Sequence, residues 1–238
     1  MTSEILRKIR RYLGAGRNNS KETRHTALQE KTIIDDFHHL YYNGLEGQGH
    51  IFARTYWMKV PCLKCPLDMW IYQEIIAEIQ PDLIIETGTK FGGSTLFMAH
   101  MLDIVGKGEL ISIDIEELPR PVHSRIKYVT GSSSDNDLIG SLLINRPNEV
   151  RLIVLDSDHS KSHVLNELAA LTPYVSLGGY IIVEDTNVNG HPTFPSHGEG
   201  PYEAVEEFLK TNPNFVIDDS REKFLMTFNP RGYLKCIG

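Results

Sequence analysis

The chain has 238 residues, 41% hydrophobic and 23% charged, which is enough apolar material for a full core and excludes wholesale disorder. Its formal net charge of −7 is unevenly spread: residues 1–31 carry eight Lys/Arg and three Asp/Glu, the remainder 16 and 28. An acidic body excludes broad nucleic-acid binding, which needs a basic face to neutralise phosphate, and no apolar run approaches the length of a membrane span.

The N-terminus (MTSEILRKIRRYLG) is basic and lacks the apolar stretch and small-residue cleavage site of a signal peptide. Ile5, Leu6, Ile9 and Leu13 fall on one face of a possible amphipathic helix. Gly14, Gly16, Asn18, Asn19 and Ser20 mark residues 14–31 as a linker or mobile segment. Residues 1–31 therefore read as a basic extension, 32–66 as an N-terminal cap rich in aromatics and His, and 67–238 as the main domain. Tyr41, Tyr42 and Tyr56 of the cap are expected to be exposed and to suit contacts in a homo-oligomer. Cys62 and Cys65 form a single C-x-x-C without a second ligand pair, so structural zinc is not expected. Three cysteines make no disulfide framework, which points to the cytoplasm.

From Leu67 the apolar period is helical, through Met69, Ile71, Tyr72, Ile75, Ile76 and Ile79, until Pro81 ends it. Strands are then expected at Leu83–Ile85, Glu109–Ile115, Ile126–Val129, Leu152–Leu155 and Tyr180–Val183. Helices are expected between them at Ser94–Leu102, Asp135–Leu143 and Ser162–Ala170. Continuous apolar strands alternating with helices predict an α/β, doubly wound, mostly parallel sheet covered on both faces. Pro201 opens a last helix over Tyr202–Lys210. Phe215–Asp218 and Phe224–Phe228 are expected to close the sheet as a tightly connected antiparallel hairpin. That ending is typical of Rossmann-like class I methyltransferases rather than of nicotinamide-binding domains.

The first strand runs into Glu86-Thr87-Gly88-Thr89-Lys90-Phe91-Gly92-Gly93-Ser94. Such glycines let the backbone turn sharply beside a ligand, and the next helix offers unpaired N–H groups. The G-x-x-x-G-G spacing breaks the dinucleotide fingerprint, and Glu86 would repel a pyrophosphate. It suits the cationic amino-acid end of S-adenosylmethionine. Asp114 ends the second strand, where a carboxylate can accept ribose hydroxyls. The Gly131-Ser132-Ser133-Ser134 turn is placed for the adenine edge. Glu86, Gly88, Thr89, Lys90, Gly92, Ser94, Asp114, Ser132 and Asp156 are the expected cofactor residues.

The fourth strand ends in Leu155-Asp156-Ser157-Asp158-His159 and the fifth in Val183-Glu184-Asp185. Acids converging from neighbouring strands repel unless a cation compensates, and oxygen donors suit Mg²⁺ or another hard divalent ion. Asp156, Glu184 and Asp185 are the preferred ligands, with Asp158 the rival to Asp156. Consecutive strand residues point to opposite faces, so Glu184 and Asp185 can share an ion only if the strand has already turned. His159 is the candidate base, with Lys161 second, and Asp158 joins them in the candidate catalytic set. The loop 186–200, with His191 and His197, reads as a lid or acceptor-binding segment.

The stretches CPLDMWIYQE (65–74), IIETGTKFGGS, LDSDH, VEDTNVNGHP, GPYEAVEEFL and SREKFLMTFNPRGYLK resemble the cephalosporin hydroxylase (CmcI-type)/rhamnosyl O-methyltransferase family, from about residue 50 onward. The resemblance implies a Rossmann-like methyltransferase fold, S-adenosylmethionine, usually Mg²⁺, and transfer to a hydroxyl, often on a deoxysugar. It implies cofactor roles for Glu86, Gly88, Gly92, Ser94 and Asp114 and a metal-binding pair in Glu184 and Asp185. A nicotinamide-dependent oxidoreductase and a non-catalytic methyltransferase-like scaffold are the alternatives.

Overall fold

The computed structural model describes residues 26–238. The amphipathic stretch at Ile5–Leu13 and most of the basic extension lie outside the described residues. Residues 34–238 form one compact unit. Where 14–31 is expected to be a linker, Ala27–Lys31 is already helical, the start of α1 (Ala27–His38). A π-turn (His39–Asn43), a 3₁₀ turn (Phe52–Arg54) and a two-stranded ribbon, β1 (Tyr56–Trp57) with β2 (Val60–Pro61), follow. Tyr56 is exposed, whereas Tyr41 and Tyr42 are half-buried within an aromatic cluster rather than free for subunit contacts.

The main domain begins with α2 (Pro66–Ile79), whose Pro66 sits in the first turn where its missing N–H costs nothing. Then come β3 (Leu83–Thr87), α3 (Gly93–Val105), β4 (Glu109–Asp114), β5 (Ile126–Thr130), α4 (Asn136–Leu143), β6 (Arg151–Leu155), α5 (Lys161–Leu171) and β7 (Tyr180–Val183). Finally α6 (Pro201–Thr211) leads to β8 (Phe215–Ile217) and β9 (Tyr233–Cys236). The seven-stranded sheet has the order β5-β4-β3-β6-β7-β9-β8, parallel except for the antiparallel β9 and its pairings with β7 and β8. Winding reverses at β3 and β6, which are hydrogen-bonded neighbours, and the crevice at their carboxyl ends is the usual place for a ligand.

The central parallel strands β3, β4, β6 and β7 bury both faces, while the edge strand β5 does not. Leu83, Ile85, Ile153, Leu155, Ile181 and Val183 pack under α5 and α6, while Ile84, Leu152, Val154, Tyr180 and Ile182 pack under α2 and α3. This two-sided burial is why the strands read as unbroken apolar runs.

The closing strands correct the sequence reading. Phe224–Phe228 is not a strand; the last strand is Tyr233–Cys236, and it lies between β7 and β8. The connection is long and contains a 3₁₀ turn at Asp219–Glu222. Apolar Met226 and Phe228 are buried against Cys65 instead of pairing in the sheet. The local polar groups bond to a side chain: buried Asp68 accepts from Phe228 N–H (2.8 Å), Thr227 Oγ1 (2.5 Å) and the Tyr233 hydroxyl (2.9 Å). Among the described residues no helix is long and apolar enough to cross a membrane.

Candidate functional site

A cavity of about 660 Å³ opens at the carboxyl edge of the sheet, over the β3/β6 switch. Its floor is the backbone at Gly88. There φ is +78°, and a Cβ would stand 1.8 Å from the Asp156 carbonyl oxygen, so the exits of β3 and β6 pass too closely for any side chain. The helix α3 starts beyond it, after Gly92 at φ +78°.

At one end of the cavity stands Asp114. Its Oδ2 accepts Lys90 N–H (2.8 Å) and its Oδ1 accepts Glu116 N–H (2.9 Å), while the Arg120 guanidinium pairs with it at 3.1 Å. The carboxylate is thereby fixed at the cavity wall, with about one of its four lone-pair sites left for a ligand hydroxyl. Ser132, Ser133 and His163 continue this end. His163, on α5, contacts Ser157 Oγ at 3.0 Å and Ser133 Oγ at 3.4 Å, and its hydrogen bond to Glu167 raises its pKa.

Glu86 behaves differently from the sequence expectation. It is fully buried and does not line the cavity. Its carboxylate accepts from Ser94 Oγ, Thr95 Oγ1 and Ser112 Oγ, and burial raises its pKa. It braces the strand–helix turn through these three hydroxyls. Ser94 shares that bond, and Thr89 turns inward onto Ser112 Oγ at 2.6 Å. Thr89, Gly92 and Ser94 thus support the loop, and Gly88, Lys90, Asp114, Ser132 and Asp156 line the cavity.

In the middle lie the acids of β6 and β7. The strands are paired through Leu155 and Val183, so Asp156 and Glu184 leave them side by side. Strand β7 ends at Val183, and Asp185 takes φ +52°, with its N–H donated to Asn229 Oδ1. This turn separates the two consecutive acids. Asp185 enters the cavity, whereas Glu184 goes into the core, where Lys64 Nζ and the Tyr72 hydroxyl bond it. Lys64 also reaches Asp156 Oδ2 at 2.5 Å. Burial by itself would lower the Lys64 pKa, but Asp156 and Glu184 raise it, so the ammonium stays charged.

Asp156, His159 and Asp185 each present a ligand atom within 4.8 Å of the others. His159 Nε2 lies 3.2 Å from Asp185 Oδ2 and 3.9 Å from Asp156 Oδ1. Burial and the neighbouring Asp156 raise the Asp185 pKa, partly offset by His159. Asp185 Oδ1 is buried without a hydrogen-bond partner and so keeps an acceptor free beside this cluster. Two carboxylates at this spacing fit a hard divalent ion, with the imidazole beside them.

Two expected ligands are therefore redirected. Glu184 is committed to Lys64 and Tyr72, and Asp158 lines the cavity but spends its carboxylate on Ser160 N–H at 2.8 Å, which holds its pKa down. Lys161 is no base, because Glu207 (3.0 Å) and Glu199 (3.2 Å) hold its ammonium, and their hydrogen bonds raise its pKa. The cysteines Cys62 and Cys65 are free and buried, and burial pushes the Cys62 thiol up to about 12, which makes it inert. The loop 186–200 is tied down by Glu203, which accepts from Asn189 Nδ2 (2.9 Å), Gly200 N–H (2.7 Å) and His191 (2.8 Å).

The opposite end of the cavity is aromatic and comes from the segment ahead of the main domain: Tyr42, Phe52 and Leu63. Sequence reasoning did not single these out as site residues, nor Lys64 and His163, whereas Ser133 belongs to the turn it placed at the adenine edge. His163 carries a weak signal, a histidine in the first turn of the helix that follows the acidic strand end.

A family model described as Rhamnosyl O-methyltransferase/CmcI matches residues 50–237. The rhamnosyl O-methyltransferases of Mycobacterium tuberculosis H37Rv and Mycobacterium leprae TN are each 37% identical over 212 residues, 85% of this chain and 84% and 90% of theirs. A solved CmcI structure described as carrying Mg and SAM superposes with a TM-score of 0.61 at 18% identity, covering 92% of this chain and 88% of that one.

Proposed function

The chain belongs to the rhamnosyl O-methyltransferase/CmcI family, and from that premise we propose that it moves a methyl group from S-adenosylmethionine to a sugar hydroxyl with the help of a divalent ion, Mg²⁺ by preference. Family membership leaves no support for the nicotinamide oxidoreductase or the non-catalytic scaffold. The observation that carries the metal part is the cluster of Asp156, His159 and Asp185, with ligand atoms within 4.8 Å of one another and an Asp185 Oδ1 that is buried without a hydrogen-bond partner.

Asp114 would take a ribose hydroxyl, and Lys90, Ser132 and Ser133 would flank the nucleoside. Asp156 and Asp185 would hold the ion. When bound there, a hard divalent ion lowers the pKa of an acceptor hydroxyl and orients its oxygen. His159 would accept the hydroxyl proton as the oxygen–methyl bond forms and the carbon–sulfur bond breaks, releasing S-adenosylhomocysteine. Asp185, beside the imidazole, stabilises the cation that results. Holding both reactants in one cavity supplies much of the acceleration. Buried free cysteines support a reducing, cytoplasmic setting for this chemistry.

Methyl transfer from S-adenosylmethionine to 4-nitrophenyl α-L-rhamnopyranoside, with Mg²⁺ and with EDTA, tests the reading. Transfer that EDTA abolishes and Mg²⁺ restores is expected. Equal transfer in EDTA overturns the metal role, and no transfer to any glycoside in a panel of deoxysugars overturns the acceptor class.

A further inference from the structure

We propose that His163 reads the base of the bound nucleoside, accepting a hydrogen bond at Nδ1 from the exocyclic amino group of adenine; the presence of that nucleoside rests on the function proposed above.

With Asp114 on the ribose, the base falls to the rest of that end of the cavity, whose walls are Ile115, Ser132, Ser133, Ser157 and His163. Ile115 is 75% exposed beside Asp114 and offers a flat ring an apolar face. The serine hydroxyls can rotate to donate or accept, so they do not tell one base edge from another. An imidazole does, once its proton is placed.

The groups behind the ring place it. Glu167, one turn further along α5, is fully buried and accepts the Ser157 hydroxyl at 2.7 Å. That spends the one hydroxyl proton of Ser157, whose Oγ lies 3.0 Å from His163 Nε2 and is left to accept there. Nε2 therefore carries a hydrogen. The polar contacts of the ring, with Ser157, with Ser133 Oγ at 3.4 Å and with Glu167 at 3.6 Å, all run through Nε2. Nδ1 bonds no other group among the described residues, and in the neutral ring it is a bare acceptor. Glu167 Oε2 is itself buried without a hydrogen-bond partner. Burying a carboxylate in that state costs stability, and core packing gives no reason for it; fixing the protons of Ser157 and His163 does.

Adenine carries its one hydrogen-bond donating group at N6, which matches a bare Nδ1. Hypoxanthine has an oxygen at that position and would set lone pair against lone pair. The charged groups facing the ring are Glu167 on α5 and Asp158 in the loop between β6 and α5. The hydrogen bond to Glu167 raises the His163 pKa, burial opposes it, and the charges of Glu167 and Asp158 raise it further. On the acid side of that pKa, Nδ1 holds a proton in the empty cavity, and adenine must send it to solvent on binding.

The test is calorimetric titration of S-adenosylhomocysteine and of S-inosylhomocysteine into the full chain at about pH 6.5, in two buffers of different ionisation heat. Wild type should bind the adenine compound about tenfold or more tightly than the hypoxanthine one, and should release protons to the buffer as it does so. His163→Ala should weaken S-adenosylhomocysteine about fivefold, leave S-inosylhomocysteine within about twofold, and abolish the proton release. Equal binding of the two compounds by wild type, proton uptake instead of release, or a full preference for adenine in His163→Ala overturns the role of His163 and leaves the cofactor standing. The first two outcomes are read on wild type and do not depend on the variant's folding. Failure of wild type to bind S-adenosylhomocysteine at all overturns the proposed reaction, and this inference with it.

Discussion

Lys64 Nζ lies 2.5 Å from Asp156 Oδ2, joining a residue just ahead of α2 to the carboxyl end of β6. The same ammonium bonds Glu184, itself held by the Tyr72 hydroxyl. Three acids, Asp156, Glu184 and Asp185, thus share one built-in positive charge, and a divalent ion would bring the group to neutrality. One oxygen of Asp156 belongs to Lys64, which leaves Oδ1 on the side of His159.

Lys64→Met should therefore cost more than the loss of a surface ion pair. Removing one member of a buried pair leaves uncompensated charge and typically destabilises by about 3–5 kcal/mol. Urea unfolding should register that loss, and Glu184→Gln in the same chain should restore part of it. A Lys64→Met protein as stable as wild type would remove the ammonium from the account.

Burial pushes the Asp68 carboxyl up to about 6 from its ordinary 3.8, although Thr227, Phe228 and Tyr233 all donate to it. Between those pH values the folded chain keeps a proton that the unfolded chain releases. Stability should consequently fall as pH rises from 3.8 to about 6, by about 3 kcal/mol from this group. Asp68→Asn should flatten that part of the stability profile measured by denaturation between pH 4 and 7. An unchanged slope would mean that Asp68 does not titrate there.

Gly88→Ala should impair both fold and cofactor binding. The new Cβ would overlap the Asp156 carbonyl, and φ +78° adds strain of about 1–3 kcal/mol on its own. Lower unfolding stability together with lost S-adenosylhomocysteine affinity in calorimetry is expected. Wild-type values for both would show that the two strand exits can move apart freely.

Much of the fold was legible in the sequence, since strands buried on both faces must be apolar throughout and the helices between them carry a regular stripe. The closing strand was not. Phe224–Phe228 has the composition of a strand, but its polar groups are satisfied by Asp68, more than 150 residues earlier, and nothing local announces that. The site was half legible. Gly88, Asp114 and Asp156 follow from where a parallel sheet exposes its carboxyl ends. The parting of Glu184 from Asp185 depends on a left-handed residue at 185, and the engagement of Lys64 on a contact across 92 positions. Glu86 misled because an acid before a glycine loop can serve the loop as well as a ligand, and here three hydroxyls satisfy it.

Asp114→Asn should separate the two ends of the cavity. Hydrogen bonds to a charged acceptor contribute about 1.5–3 kcal/mol, so S-adenosylhomocysteine affinity should drop about tenfold or more. Divalent-ion affinity, governed by the other acids, should change little. Loss of both together would mean that the variant disturbs the whole crevice.

Calorimetric titration of Mn²⁺ into the S-adenosylhomocysteine complex, for wild type, Asp185→Asn and Glu184→Gln, tests the site most directly. One ion should bind wild type, Asp185→Asn should abolish binding, and Glu184→Gln should retain it, because Glu184 is committed to Lys64 and Tyr72. If Glu184→Gln loses the ion while Asp185→Asn keeps it, the assignment of Asp156 and Asp185 as the ion's carboxylate pair is wrong.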